Sequence, residues 1–213
     1  MPPNPTPILR FVHVENLATL IRRGGLHSPH RTPADGLPYR TIHDTSVQGA
    51  RANVKIDCGP GGTIHDYVPF YFGYLSPMMF KLKTGRVEGY TEGQRPLVYL
   101  VTTAQAVKEA NLHFAFSNGH GLAALTDWFD DLGRLDEVDW GAVNLRYWID
   151  TVDDMDRQRK KQAEFLVHDG CPWSLIQQIA VVDTAMKEQV EAILNDFHAS
   201  EQRPVHIRPS WYY

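Results

Sequence analysis

With 213 residues, 43% of them apolar and 22% charged, the chain has the size and composition of one globular domain able to bury a substantial core. A formal net charge of −4 argues against a protein that coats nucleic acid by bulk electrostatics, yet leaves room for a local basic groove at Arg22 and Arg23 or at Arg157, Arg159, Lys160 and Lys161. Two cysteines, Cys58 and Cys171, make neither a disulfide framework nor a zinc site, and the apolar runs are too interrupted for a membrane span, so a reducing cytoplasm with no membrane association is expected; no sustained heptad or large apolar surface helix argues for assembly, so a monomer is expected.

In chain order, Ile8 to His13 (I-L-R-F-V-H) reads as a strand. Asn16 to Arg23 carries Leu17, Leu20 and Ile21 at helical spacing, and Gly24-Gly25 stops that helix. Leu26 to Ala50 lacks periodicity, and an irregular stretch of that length is usually functional or mobile. Val54 to Thr63 ends in a Gly59-Pro60-Gly61-Gly62 turn. Tyr67 to Phe72 (Y-V-P-F-Y-F) reads as a buried strand in which Pro69 suggests an edge or a bulge. Leu97 to Thr102 is a strand, Ala104 to Ala110 a short helix, and His113 to Phe116 a strand ended by Ser117-Asn118-Gly119-His120-Gly121. Leu122, Leu125, Phe129 and Leu132 make a helical stripe, and Trp140, Val143 and Tyr147 extend the pattern into a second helix. Asp153 to Lys161 (D-D-M-D-R-Q-R-K-K) is too polar to pack and reads as a solvated loop. Strands follow at 164–168 and 179–182, then a helix with Met186, Val190, Ile193 and Phe197 on one face, and a last strand from Val205 to Arg208 before Trp211-Tyr212-Tyr213. Strands and helices are mixed without regular alternation, so the class is α+β.

Several standard sites are missing from the sequence. It has no G-x-G-x-x-G after a strand, no G-x-x-x-x-G-K-[ST] and no G-x-S-x-G. His65-Asp66 is the nearest thing to a metal pair, but adjacent strand residues point to opposite faces, so no metal is expected. What remains is a dispersed set of His13, Asn16, Arg51, the aromatic block 67–74, His120 and Glu164. Glu164 stands out because it ends a charged run at the mouth of the apolar strand Phe165-Leu166-Val167. A carboxylate there sits on rigid backbone yet can face a cleft, although most glutamates in such places merely face solvent.

The segments F-V-H-V-E-N-L (11–17), G-P-G-G-T-I-H-D-Y-V-P-F-Y-F (59–72), S-P-M-M-F (76–80), K-Q-A-E-F-L-V (161–167) and the terminal W-Y-Y together resemble the DarT family of DNA ADP-ribosyltransferase toxins, in order and spacing, over nearly the whole chain. The resemblance implies one domain over 1–213, with an ADP-ribosyltransferase core: a split β-sheet, ringed by helices, whose cleft holds NAD. It implies transfer of ADP-ribose from NAD to thymine or guanine in single-stranded DNA, release of nicotinamide, and a cognate macrodomain antitoxin. By the same resemblance Glu164 and Arg51 are catalytic, while His13, Asn16, Arg51 and Tyr71 hold NAD. His120, with Arg157 and Arg159 of the basic loop, meets the substrate, and segment 26–50 covers the bound NAD. Glu164→Ala is then expected to remove activity while the fold survives. Arg10 departs from the family, standing where many members carry an aromatic residue or histidine, which leaves the target base open. Two other readings stay in play: transfer to RNA or protein, and a non-enzymatic nucleic-acid-binding module.

Overall fold

The computed structural model describes residues 1–213, apart from the side chains of residues 45 and 46. The strands are β1 (Pro7–His13), β2 (Gly25–His27), β3 (Tyr67–Tyr71), β4 (Leu97–Thr103), β5 (Phe114–Ser117), β6 (Trp128–Phe129), β7 (Glu164–His168), β8 (Gly170–Pro172), β9 (Gln178–Val181) and β10 (Val205–Ile207). The helices are α1 (Leu17–Arg22), α2 (Thr45–Arg51), α3 (Pro77–Lys83), α4 (Ala104–Glu109), α5 (Trp140–Asn144), α6 (Arg157–Lys161) and α7 (Thr184–Asn195). Helix starts follow local chemistry: Ser76 caps α3 by accepting from Met79 N with Pro77 in the first turn, and Asp183 caps α7 by accepting from Met186 N.

Eight strands form one sheet in the order β10-β9-β4-β1-β3-β7-β5-β6, and β2 pairs separately with β8. All neighbours in the large sheet are antiparallel except β9 and β10. β1 pairs with β4 along its whole length, from Pro7 opposite Thr103 to His13 opposite Leu97. It meets β3 only at Leu9 opposite Tyr71. The sheet is therefore split in the middle, as expected, and the split decides where ligands can enter.

Strand alternation sorts the core into two faces. Val68, Phe70, Phe165 and Val167 pack with Leu17 and Leu20 of α1 and Met186, Val190 and Leu194 of α7. Leu9, Phe11, Tyr99, Met79 and Leu82 form the other layer, closed by the C-terminal Tyr212. Each such buried side chain contributes about 1.5–3 kcal/mol of transfer free energy. The Tyr212 hydroxyl donates to Leu97 O at 2.8 Å, and the Tyr213 hydroxyl accepts from Trp148 Nε1 at 2.6 Å while reaching Leu75 O, so the terminal aromatics brace the turn before α3.

The structure corrects four local expectations. Residues 122–132 are not a helix: β6 pairs with β5, and Leu125 is 76% exposed, because Asn118 and Asp127 bind each other and fold the segment back as a hairpin. α5 ends at Asn144, leaving Tyr147 exposed. The polar run before Glu164 is not all solvated loop. Its end is α6, and Lys161 is buried with its ammonium donating to Val143 O at 2.6 Å and Tyr74 O at 3.0 Å. Pro69 lies inside the sheet, but on the split. Its carbonyl accepts from Arg10 Nη1 at 2.8 Å, and a strand residue's N and O point the same way, so its missing N–H faces the side where β1 supplies no ladder.

Candidate active site

β3 and β7 are in a register that sets Tyr71 opposite Glu164 and Tyr67 opposite His168. Glu164 is the first residue of β7, and its N–H donates to Ser117 Oγ at 3.2 Å, which pins it to the end of β5. Where β1 and β3 separate, a cavity of about 520 Å³ opens, within the roughly 300–1,000 Å³ common for small-molecule and cofactor sites. Arg51, Tyr71, His120 and Glu164 all line it.

Arg51, at the end of α2, donates from Nη1 to Glu164 Oε1 at 2.9 Å and from Nη2 to Oε2 at 2.8 Å. Both residues are buried, Arg51 at 8% and Glu164 at 4% exposure, so this bidentate pair is held away from most solvent screening. Burial works against the Arg51 charge, and the facing carboxylate outweighs it, holding the guanidinium above its ordinary value. Such burial revises the expectation that removing the Glu164 side chain would spare the fold, since the Arg51 charge would then be left without its partner.

Gly121 gives the carboxylate its room. A Cβ there would stand 2.9 Å from Glu164 Oε1 and 2.9 Å from Ile64 Cδ1. Gly119, in the same turn, passes so close to Arg159 that a Cβ would overlap its Nη1. Between them lies His120. Burial lowers its imidazole below the ordinary value; Glu164 opposes that, and Arg51 and Lys81 add to it, so the ring is neutral near pH 7. Tyr71 stacks on Phe11 with ring centroids 5.6 Å apart, a flat apolar wall beside the ion pair.

The other sequence-derived candidates lie outside the cavity lining. His13 is 1% exposed, accepts at Nδ1 from Glu15 N and meets Glu92 Oε2 from Nε2 at 3.3 Å. Asn16 grips the backbone of Arg40 from both sides, donating to its O at 2.8 Å and accepting from its N at 2.7 Å. Asn16 thus anchors the segment that walls the cavity through Tyr39, Ile42 and His43, and His13 reaches that segment only through Glu92, which pairs with Arg40. Thr19 Oγ1 to Pro38 O and Arg23 to Asp35 tie the same segment down. Arg159 is bound by Asp156 at 2.6 Å and reaches Asn118 and Thr126, and Arg157 sits 3.8 Å from Asp154. Sequence reasoning missed Gln48, Met78 and Lys81, which line the cavity from α2 and α3; nothing but the fold brings them there.

A second groove of about 540 Å³ runs along β2 and β8 past His113, His168 and Asp169. Its ion pairs, Arg31 with Asp169 and His168 with Asp169, are half-exposed, whereas the buried Arg51–Glu164 pair lines the first cavity. No group of three or more His, Cys, Asp or Glu among the described residues is placed to hold a metal ion. Both cysteines are free, and burial pushes the Cys171 thiol up to about 12 and Cys58 to about 11, leaving them protonated.

The chain is 40% identical over 211 residues to the DNA ADP-ribosyl transferase of Thermus sp. (strain 2.9), covering 99% of this chain and 98% of that protein. It is 30% identical to the Escherichia coli O127:H6 protein of the same description, over 99% of this chain and 95% of the relative. The structure of Thermus sp. 2.9 DarT in complex with ADP-ribosylated ssDNA superposes with a TM-score of 0.93 at 39% identity, covering 100% of this chain and 99% of that one. Thermus sp. 2.9 DarT in complex with NAD+ superposes at 0.89 with 38% identity, covering 100% of both chains. A family profile described as "ssDNA thymidine ADP-ribosyltransferase, DarT" matches residues 9–213. The split sheet, the cleft carboxylate and these likenesses together place the chain in the DarT family of DNA ADP-ribosyltransferases.

Proposed function

We propose that Glu164 and Arg51 carry ADP-ribosyl transfer from NAD to a thymine of single-stranded DNA, with release of nicotinamide, in one domain spanning residues 1–213. The observation that carries the reading is the buried bidentate Arg51–Glu164 pair in the wall of the cavity. The residues present fit NAD: the cavity is large enough, Phe11 and Tyr71 offer an aromatic wall, and Arg10 holds a buried Nε without a partner.

Breaking the bond between nicotinamide and C1′ of the ribose leaves the electron pair on nicotinamide and positive charge on the sugar, as in glycoside hydrolysis. A fixed carboxylate beside that carbon stabilises the charge without reorganising, and Arg51 fixes the carboxylate. Thymine in DNA has one ring N–H; when its nitrogen bonds C1′, the proton must leave. His120, neutral and in the cavity, is the acceptor we assign. Tyr71 packs against the reacting groups. Asn16 supports NAD binding through the segment it anchors, His13 through Glu92, the partner of Arg40, and Arg157 and Arg159 lie on α6 just before Glu164, where a few cations suffice for a short single strand.

Among the described residues no helix is long and apolar enough to cross a membrane. We take the chain to act in the cytoplasm as a monomer opposed by a cognate macrodomain antitoxin, as its family membership suggests.

Mass spectrometry of mixed single-stranded oligonucleotides incubated with NAD tests the acceptor. An ADP-ribose adduct on thymine is expected. Adducts on guanine would reassign the base, and label confined to RNA or protein would overturn the DNA reading. Gly121→Ala is expected to displace the carboxylate and lower turnover roughly hundredfold, the scale of an ångström misplacement in a catalytic site. Steady-state kinetics check this; an unchanged kcat would show that Glu164 has slack.

A further inference from the structure

We propose that Arg10 is the residue through which this chain holds the diphosphate of its nucleotide donor. The inference rests on the NAD-dependent reading above and concerns how the donor is gripped. Leu9, Tyr71 and Glu164 are successive register partners and share one face of the sheet. Arg10, next to Leu9, therefore projects from the opposite face, beside Ile8 and Val12. The cavity reaches both faces through the split, touching Tyr71 and Lys81 on one side and Leu20 and Leu26 on the other.

Lysine and arginine side chains in its lining are Arg10, Arg23, Arg51 and Lys81. Arg23 is bound by Asp35 at 2.6 Å, Arg51 by Glu164 at 2.8 Å, and Lys81 stands 3.6 Å from Asp44. Arg10 has no carboxylate among the described residues. Its Nη1 donates to Pro69 O at 2.8 Å, and its Nε is buried without a partner. A guanidinium N–H left without a partner in the protein is costly, and an anionic oxygen satisfies it. The planar fork of Nε and Nη2 matches a phosphate bidentately, and the donor's two phosphates supply the negative charge the cavity's other cations already have. Arg10 also substitutes for a missing strand ladder at Pro69, so its position is set by the split itself.

Arg10→Gln separates these two roles, because glutamine can still donate to Pro69 O but carries no charge. Calorimetric titration with ADP-ribose, which needs no turnover, is expected to show affinity falling roughly tenfold to a hundredfold, with the melting temperature of the unliganded protein little changed. Arg10→Lys, which keeps the charge but not the fork, is expected to fall between. Wild-type affinity in whichever of the two variants folds would overturn the assignment. Failure of the wild-type protein to bind either NAD or ADP-ribose would instead overturn the NAD reading beneath it.

Discussion

Glu164→Gln is expected to lower the rate of ADP-ribosyl transfer roughly a thousandfold, the scale at which removing a preorganised electrostatic partner of a developing charge is felt. Glutamine keeps the shape and one acceptor for Arg51 but loses the negative charge that the ribose cation needs. It is the right probe because the Glu164 side chain is buried and ion-paired. Truncation to alanine would leave Arg51 unpaired and risk about 3–5 kcal/mol of stability, mixing a folding defect with a catalytic one. Nicotinamide release should fall with transfer, and ADP-ribose affinity should change far less, since the charge matters mainly in the transition state. Turnover within tenfold of wild type, in a variant with a normal melt, would remove Glu164 from the chemistry.

Much of the scaffold was legible because its physics is local. The short apolar runs of Ile8 to His13 and Leu97 to Thr102 and the helical stripe of α7 each show within one element. Glu164 was legible for the same reason, as a carboxylate ending a charged run at the start of an apolar strand. The misreadings fell where distant partners decide. Leu122, Leu125, Phe129 and Leu132 have helical spacing, but pairing of β6 with β5 overrides it. Lys161 looks solvated until Tyr74 and Val143 supply carbonyls from far along the chain.

The candidate site divides in the same way. Arg51 meets Glu164 across 113 residues, a pairing no spacing rule can give; the family resemblance supplied the two names without the contact. His13 and Asn16 were singled out for donor binding, yet neither lines the cavity: Asn16 holds the backbone of Arg40 in the segment that walls it, and His13 meets Glu92, the partner of Arg40. Gly121 carried no periodic or motif signal, and Arg10 showed only as a departure from the family pattern. The role predicted for Gly121 lies in the volume it does not occupy, and that proposed for Arg10 in a carboxylate it lacks.

Arg51→Met should lose about 3–5 kcal/mol of folding free energy, because it strands the Glu164 carboxylate in a buried site, and Glu164→Leu should lose a similar amount by stranding Arg51. The double variant should recover most of that loss, since two apolar side chains of comparable volume need no charge compensation. Urea unfolding of the three variants, at fixed pH and without ligand, measures the coupling directly. Singles that simply add would mean that the pair is not interacting as the geometry requires. Recovery of stability in the double variant, with all three inactive in transfer, would carry a further consequence. A stable apolar alternative would then exist for this pair, so folding alone would not require a charged pair at the split. The reason for burying one beside an aromatic wall would lie in the reaction: the carboxylate has to be in place, oriented and poorly solvated before positive charge appears on the sugar.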